Sequence, residues 1–267
     1  MKPKVLKLEY ENPKTHVKST GRIEIKNQTS NSADLYFYGD ICSSTWDLWQ
    51  WEDMCPQDVA DFLNGLAGIQ NINIYINSGG GDSFGGLAIF NILARNPAKM
   101  NVNVDALAAS AAGIIAMVGC LPGNVLNMPP GTQLMIHNCW TIAMGNANDF
   151  EKLVISMRKC DESYIEVFTK CALEGVTAEQ FREMQNAEKW LSGAEAALLF
   201  KNVQVQGEQI AASLDNEFVG RYKNIPKSLI KEKTGPDDDP GNGPDDAALQ
   251  AEKIKVSKAK LALACEL

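Results

Sequence analysis

Ile72-Asn73-Ile74-Tyr75-Ile76 alternates apolar and polar positions with period two, which predicts a strand with one buried face. Upstream, Leu35-Tyr36-Phe37-Tyr38-Gly39-Asp40-Ile41 has the aromatic content of a buried strand. Between them Pro56 opens a segment whose Val59, Phe62, Leu63 and Leu66 fall at i, i+3, i+4 and i+7, one face of a helix. Strand, helix, strand in that order predicts a parallel βαβ unit. The pattern then repeats. A helix from about Phe84 to Arg95 stops before Pro97, and a strand around Val102 to Val104 runs into a segment that reads as helical from Ser110 to Cys120. Two further strands, Asn124 to Met128 and Gln133 to His137, flank the Pro129-Pro130-Gly131 turn.

A long helix follows from about Asp149 to Cys171, with Phe150, Leu153, Val154, Met157 and Tyr164 towards one side, and its length lets it project beyond a compact core. Capping boxes at Thr177-x-x-Gln180 and Ser192-x-x-Glu195 each start a short helix. Residues 1–32 are polar and mixed, with one strand-like alternation at Arg22 to Lys26, and read as an arm or edge strand. The packed domain is expected over 33–223. Residues 224–246, rich in Asp, Pro and Gly, read as a linker that buries too little apolar surface to fold. Residues 247–267 place Leu249, Val256 and Leu263 at heptad spacing among lysines, which suits a lone amphipathic helix better than a coiled coil.

With 267 residues, 45% of them hydrophobic, the chain can bury a full core. A net charge of −8 argues against nucleic acid as the main partner, since phosphate binding needs clustered Lys and Arg. The start has no sustained apolar stretch and nothing approaches a membrane span, so a cytoplasmic protein off the membrane is expected. Seven cysteines with no Cys-x-x-Cys pair point to reduced, mostly buried thiols.

Only two histidines occur, His16 in a charged stretch and His137 at the end of Leu134-Met135-Ile136-His137. Upstream of His137 lie Ser78-Gly79-Gly80-Gly81-Asp82 and a serine among small residues, Ala108-Ala109-Ser110-Ala111-Ala112-Gly113. A serine hydroxyl becomes a nucleophile when a base accepts its proton, and it gains from N–H donors aimed at the developing oxyanion. Taken singly, each has a plainer reading: Ser110 as a helix N-cap, His137 as a core histidine, the glycines as a turn. The glycine run fails the common phosphate motifs, because no Gly-Lys-Ser/Thr follows and Phe84 stands where a dinucleotide fingerprint needs its third glycine.

Together, in order, these segments resemble the Clp protease family. The resemblance runs from about Leu35 to Ala197 and rests on Tyr-Gly-Asp at 38–40, Ile-Asn-Ser-Gly-Gly-Gly at 76–81, Ala-Ala-Ser-Ala-Ala at 108–112, Met-Ile-His-Asn at 135–138, Gly-Asn-Ala-Asn-Asp at 145–149 and Trp-Leu-Ser-x-x-Glu-Ala at 190–196. It implies a crotonase-like α/β fold of ββα repeats with a protruding long helix. It also implies Ser110 as nucleophile, His137 as general base, and Gly81 and Ala111 as oxyanion-hole amides, with substrate strands pairing alongside Gly79 and Gly80. The acidic member falls on Glu188, where housekeeping members usually carry aspartate; Glu183 is the nearest alternative. Gly79 likewise replaces their proline.

The aromatic arm, Asn138-Cys139-Trp140, the glutamate and the long acidic tail resemble the Clp-type head maturation proteases of tailed phages. The resemblance further implies a homo-oligomer of heptameric rings stacked in pairs, polypeptide substrates, and a partner that is an ATP-driven unfoldase or a phage capsid or scaffold protein. The tail, set apart by the linker, is expected to bind such scaffold or capsid partners. No metal or organic cofactor is implied, and without a P-loop any ATP use belongs to another chain. Two competing readings share the fold: a ring subunit without turnover, and a crotonase-type acyl-CoA enzyme.

Overall fold

A computed structural model describes residues 5–11, 18–24, 31–45, 53–66, 68–207 and 222–229. The expected C-terminal helix and residues 230–246 of the expected linker lie outside the described residues. The chain divides into two compact units, 1–140 with 155–231, and 141–154 with 232–267.

In the first unit β1 (Val5–Glu11) and β2 (Lys18–Glu24) form an antiparallel pair of their own. The main sheet begins with β3 (Ser32–Phe37), followed by α1 (Pro56–Asn64), β4 (Asn71–Ser78), α2 (Ser83–Ala94) and β5 (Lys99–Ala109). Proline at its first position and a box between Cys55 and Asp58 start α1: the Asp58 carboxylate accepts the Cys55 N–H at 2.9 Å. The Asp82 carboxylate caps α2 by accepting the Gly85 N–H at 2.6 Å. Both helices connect parallel strands, as the order of elements predicts, with β3 on β4 and β4 on β5.

The strand expected at 102–104 runs over eleven residues, because its small C-terminal residues are buried beside a second partner. Its first half pairs with β6 (Val125–Asn127), while Leu107 to Ala109 pair with β7 (Gln133–Ile136). Between β5 and β6 lie α3 (Ala111–Ala116) and a 3₁₀ turn to Cys120, as expected. After α4 (Ala147–Cys171) and α5 (Ala178–Ala187) come β8 (Lys189–Ser192), α6 (Gly193–Ala197) and β9 (Val203–Gln204). Both expected capping boxes are present, at Thr177 with Gln180 and Ser192 with Glu195. β8 runs antiparallel to β7, and β9 parallel to β6; neither short strand is predicted by the sequence pattern. The result is a mixed α/β fold, a largely parallel sheet with helices packed against it.

Ile72, Ile74, Ile76, Val102 and Val104 project from β4 and β5 into the main core with Ile89, Leu93 and Ile114. Phe168, Phe181 and Phe200 join it, their rings 5.4 to 6.0 Å apart. The alternate positions carry asparagines in register across the sheet. Asn73 donates to the Asp34 carboxylate at 2.8 Å, Asn101 to Asn73 at 3.1 Å and Asn127 to Asn103 at 2.9 Å. A smaller cluster unites Leu107, Ala109, Met135 and Trp190 with Tyr222 and Leu229. Residues 224–229, which composition assigns to the linker, are therefore packed at this point, because Leu229 and Ile225 meet an apolar face that local composition does not reveal.

In the second unit Asn146 begins α4: its side-chain oxygen accepts the Asn148 N–H at 2.9 Å, and Asp149 accepts the Asn146 N–H at 3.0 Å. Phe150 and Val154 are exposed whereas Tyr164 is buried, so the apolar stripe expected along this helix is not buried along its whole length. No helix among the described residues is long and apolar enough to cross a membrane.

Candidate active site

The glycine run is carried against Ser110 by a register change. β4 and β5 pair regularly to Ile76 with Val104, then shift so that Ser78 faces Ala108. The run then crosses beside Ala109, Ser110 and Ala111, and a Cβ on Gly80 would lie 2.6 Å from the Ala109 carbonyl oxygen and 2.8 Å from Ser110 Cβ. Gly80 and Gly81 have φ of 88° and 145°, conformations open to glycine. The Ser78 hydroxyl holds the turn, donating to the Gly39 carbonyl at 2.7 Å and accepting the Gly80 N–H at 3.1 Å. Ile41 bridges to Gly81 through its own N–H on the Gly80 carbonyl and its carbonyl on the Asp82 N–H. That bridge leaves the Gly81 N–H outside the ladder, on an exposed residue.

Ser110 occupies the N-cap position of α3 but does not cap it, since its side chain makes no cap hydrogen bond. Its φ of 55° and ψ of −123° are unusual for a non-glycine residue, and turn the hydroxyl out of the strand-to-helix junction. There it lies 2.7 Å from His137 Nε2. The backbone is fixed by the Ser110 N–H on the Met135 carbonyl at 3.0 Å, so β7 locates both members of the pair. Ala111, the first residue of α3, places its N–H among the free amides of a helix start, within 2.9 Å of where a Gly80 Cβ would stand.

Burial lowers the pKa of His137 below the usual imidazole value, and the charges of Glu188 and, less strongly, Asp161 oppose the shift. The ring is thereby kept neutral at neutral pH, able to accept a proton. Asp161 also accepts the Cys139 N–H at 2.7 Å, fixing the chain just after His137, and Cys139 Sγ contacts Cys160 Sγ at 2.8 Å. Sequence patterning gives no sign of Asp161, a carboxylate within a helix.

Glu188 ends α5 in a left-handed conformation, φ 49°. Its field reaches His137, yet its carboxylate accepts the backbone N–H groups of Lys223 at 2.7 Å and Asn224 at 2.6 Å. Glu183 is exposed on α5. Tyr222, also missed by sequence patterning, donates its hydroxyl to the Gly79 carbonyl and sets its ring edge-on to His137 at 5.8 Å and to Trp190 at 5.5 Å. Gly79, Gly81, Ser83, Ser110, His137, Cys139, Trp140 and Tyr222 line one cavity of about 150 Å³. An exposed N–H, a hydroxyl on a neutral imidazole and a small cleft suit acyl transfer.

The sequence model of the family described as Clp protease matches residues 53–199, more than half of the chain and a span that includes Ser110, His137 and Glu188. Among solved structures, a point mutant of ClpP1 from Listeria monocytogenes is similar with a TM-score of 0.45 and 23% identity, over 61% of this chain and 84% of that one. The chain belongs to the Clp protease family.

Proposed function

We propose that the protein is a serine endopeptidase, with Ser110 as nucleophile and His137 as general base. The observation that carries this reading is the 2.7 Å approach of Ser110 Oγ to His137 Nε2 at a strained strand-to-helix turn. Ser110 attacks the peptide carbonyl as His137 takes its proton, and the N–H groups of Gly81 and Ala111 receive the developing oxyanion. His137 then gives that proton to the departing amine, and water repeats the cycle on the acyl-enzyme. The substrate backbone pairs alongside Gly79, since the N–H and carbonyl of Gly80 are bonded to Ser78 and Ile41, so recognition is mostly main-chain. Glu188 stabilises the imidazolium through its field.

The chain works as a homo-oligomer, in heptameric rings stacked in pairs, as family membership suggests. The exposed Ile142, Met144, Phe150 and Val154 supply apolar surface for association. Glu188 in place of aspartate, Asn138-Cys139-Trp140 and the acidic tail support a role in phage head maturation, trimming capsid or scaffold protein in the bacterial cytoplasm, over housekeeping proteolysis with an unfoldase. One observation favours a second reading, a ring subunit without turnover: the Glu188 carboxylate is bonded to the Lys223 and Asn224 amides.

Fluorophosphonate labelling separates the two. The active enzyme is expected to carry label on Ser110, mapped by mass spectrometry, and to lose it in His137→Ala; absence of label from every assembly state selects the inactive subunit.

A pH profile tests Glu188. The rate rises with pH as His137 loses its proton, and the negative charge of Glu188 raises the pKa of that step. Glu188→Gln keeps an acceptor oxygen and removes the charge. The acid limb of kcat/KM is therefore expected to move to lower pH, with a plateau reduced by about 10²-fold or more. An acid limb that stays in place or moves upward rules out a field of Glu188 on His137.

A further inference from the structure

We infer that Tyr222–Leu229 is a built-in occupant of the peptide-binding cleft, seated in a subsite for tyrosine-bearing peptide segments, and that substrates must displace it. This rests on the serine peptidase reading above. Tyr222 shares its cavity with Ser110, His137 and Gly81. Its hydroxyl donates to the carbonyl of Gly79, part of the glycine edge along which an incoming strand would pair. Its ring lies against His137 and Trp190, which together with the Gly79 carbonyl form a pocket matched to a phenol. Immediately downstream, the Lys223 and Asn224 N–H groups draw the carboxylate of Glu188 to themselves, and the Asn224 side chain donates to the Ala187 carbonyl at 3.0 Å. Leu229 anchors the far end on the cluster of Leu107, Ala109, Met135 and Trp190. One short segment thus occupies the cleft and also engages the acidic residue nearest the histidine.

The seat is built for release. The hydrogen bonds of the segment on Glu188 lie at the exposed surface. Beneath it the indole N–H of Trp190 is buried without a hydrogen-bond partner among the described residues. A buried donor left unpaired opposes docking, and that penalty disappears when water or a substrate carbonyl reaches it. A peptide presenting a tyrosine and a free strand edge competes for the same groups. Departure of the segment uncovers the Gly79 carbonyl and frees Glu188.

The test is the rate of fluorophosphonate labelling of Ser110 in the full-length chain, compared with Tyr222→Ala and with Asn224→Pro. The second variant keeps the ring and deletes one amide bonded to Glu188 together with the Asn224 side-chain bond to the Ala187 carbonyl. Both are expected to label about tenfold faster, the response to moving a docked segment from mostly bound to mostly released. The octapeptide Tyr-Lys-Asn-Ile-Pro-Lys-Ser-Leu, added to Tyr222→Ala, is expected to slow labelling again, and the same peptide with alanine for tyrosine is not. Unchanged or slower labelling in Asn224→Pro, with no effect of the octapeptide, overturns the inference: the segment then supports His137 and does not compete with substrate. Should Tyr222→Ala fail to fold, Asn224→Pro and the octapeptide on the unaltered chain still decide. If neither the unaltered chain nor any variant labels, the serine peptidase reading itself falls, and this inference with it.

Discussion

Ser110→Ala is expected to lower kcat/KM for cleavage of a fluorogenic peptide by about 10⁴-fold or more, with the oligomeric state unchanged by size-exclusion chromatography. The alanine retains the backbone contacts of the turn. The Ser110 N–H still reaches the Met135 carbonyl, and the Ile114 N–H still closes on the carbonyl of residue 110, so the turn keeps its shape. An alanine meets the same backbone cost as serine at φ 55°. What disappears is the hydroxyl 2.7 Å from His137 Nε2, the proposed attacking atom. Rate and assembly therefore separate, and cleavage surviving at the unaltered rate would remove Ser110 from the chemistry.

Gly80→Ala is expected to lower kcat/KM by about 10²- to 10³-fold, comparable to the loss of an oxyanion donor. Its methyl group would have to stand 2.6 Å from the Ala109 carbonyl oxygen, 2.8 Å from Ser110 Cβ and 2.9 Å from the Ala111 nitrogen. All three belong to the turn that presents the proposed nucleophile and one candidate oxyanion amide. The turn and the glycine run must move apart, and Gly81 moves with them. Gly123→Ala supplies the control, because Gly123 has a φ of 84° with nothing within 4 Å of its would-be Cβ. Each variant loses about 1 to 3 kcal/mol to positive φ, read from Tm, while Gly80→Ala alone loses activity. Equal activity in the two variants would show that contact between the glycine run and Ser110 does not set the catalytic geometry.

Much of this arrangement was legible in the sequence where a local rule governs it. Pro56, the periodic Val59 and Phe62, and the two capping boxes mark helices through forces acting within a few residues. His137 stands out because the chain has only two histidines, and Ser110 because it is set among small residues where a strand runs into a helix; β5 and β7 do bring them together. The rest depends on contacts distant in sequence. β5 extends through Asp105 and Ala106, which break the alternation, because β7 pairs alongside its end. β8 is four residues long and becomes a strand by lying against β7. On α4 a period of apolar residues predicts an apolar face but does not say what covers it, and Phe150 and Val154 stay exposed. Tyr222 and Leu229 sit in a locally polar stretch, and their burial is legible only once the face of Leu107, Met135 and Trp190 exists.

The asparagines of the main sheet bear on how this chain avoids a wrong fold. Alternation along β4 and β5 forbids a slip of one residue, which would turn Ile72, Ile74 and Ile76 away from the core, but it permits a slip of two, which restores the same apolar face. Asp34 opposite Asn73, Asn73 opposite Asn101, and Asn103 opposite Asn127 narrow that loophole. A two-residue slip of β4 in one direction places Tyr75 against Asp34 or Asn101 and leaves half-buried amides without partners, whereas a slip in the other brings Asn71 there and keeps an amide in place. The polar ladder therefore adds to the parallel sheet a register preference that hydrophobicity alone does not supply, disfavouring the slip that sets Tyr75 against Asp34 and Asn101.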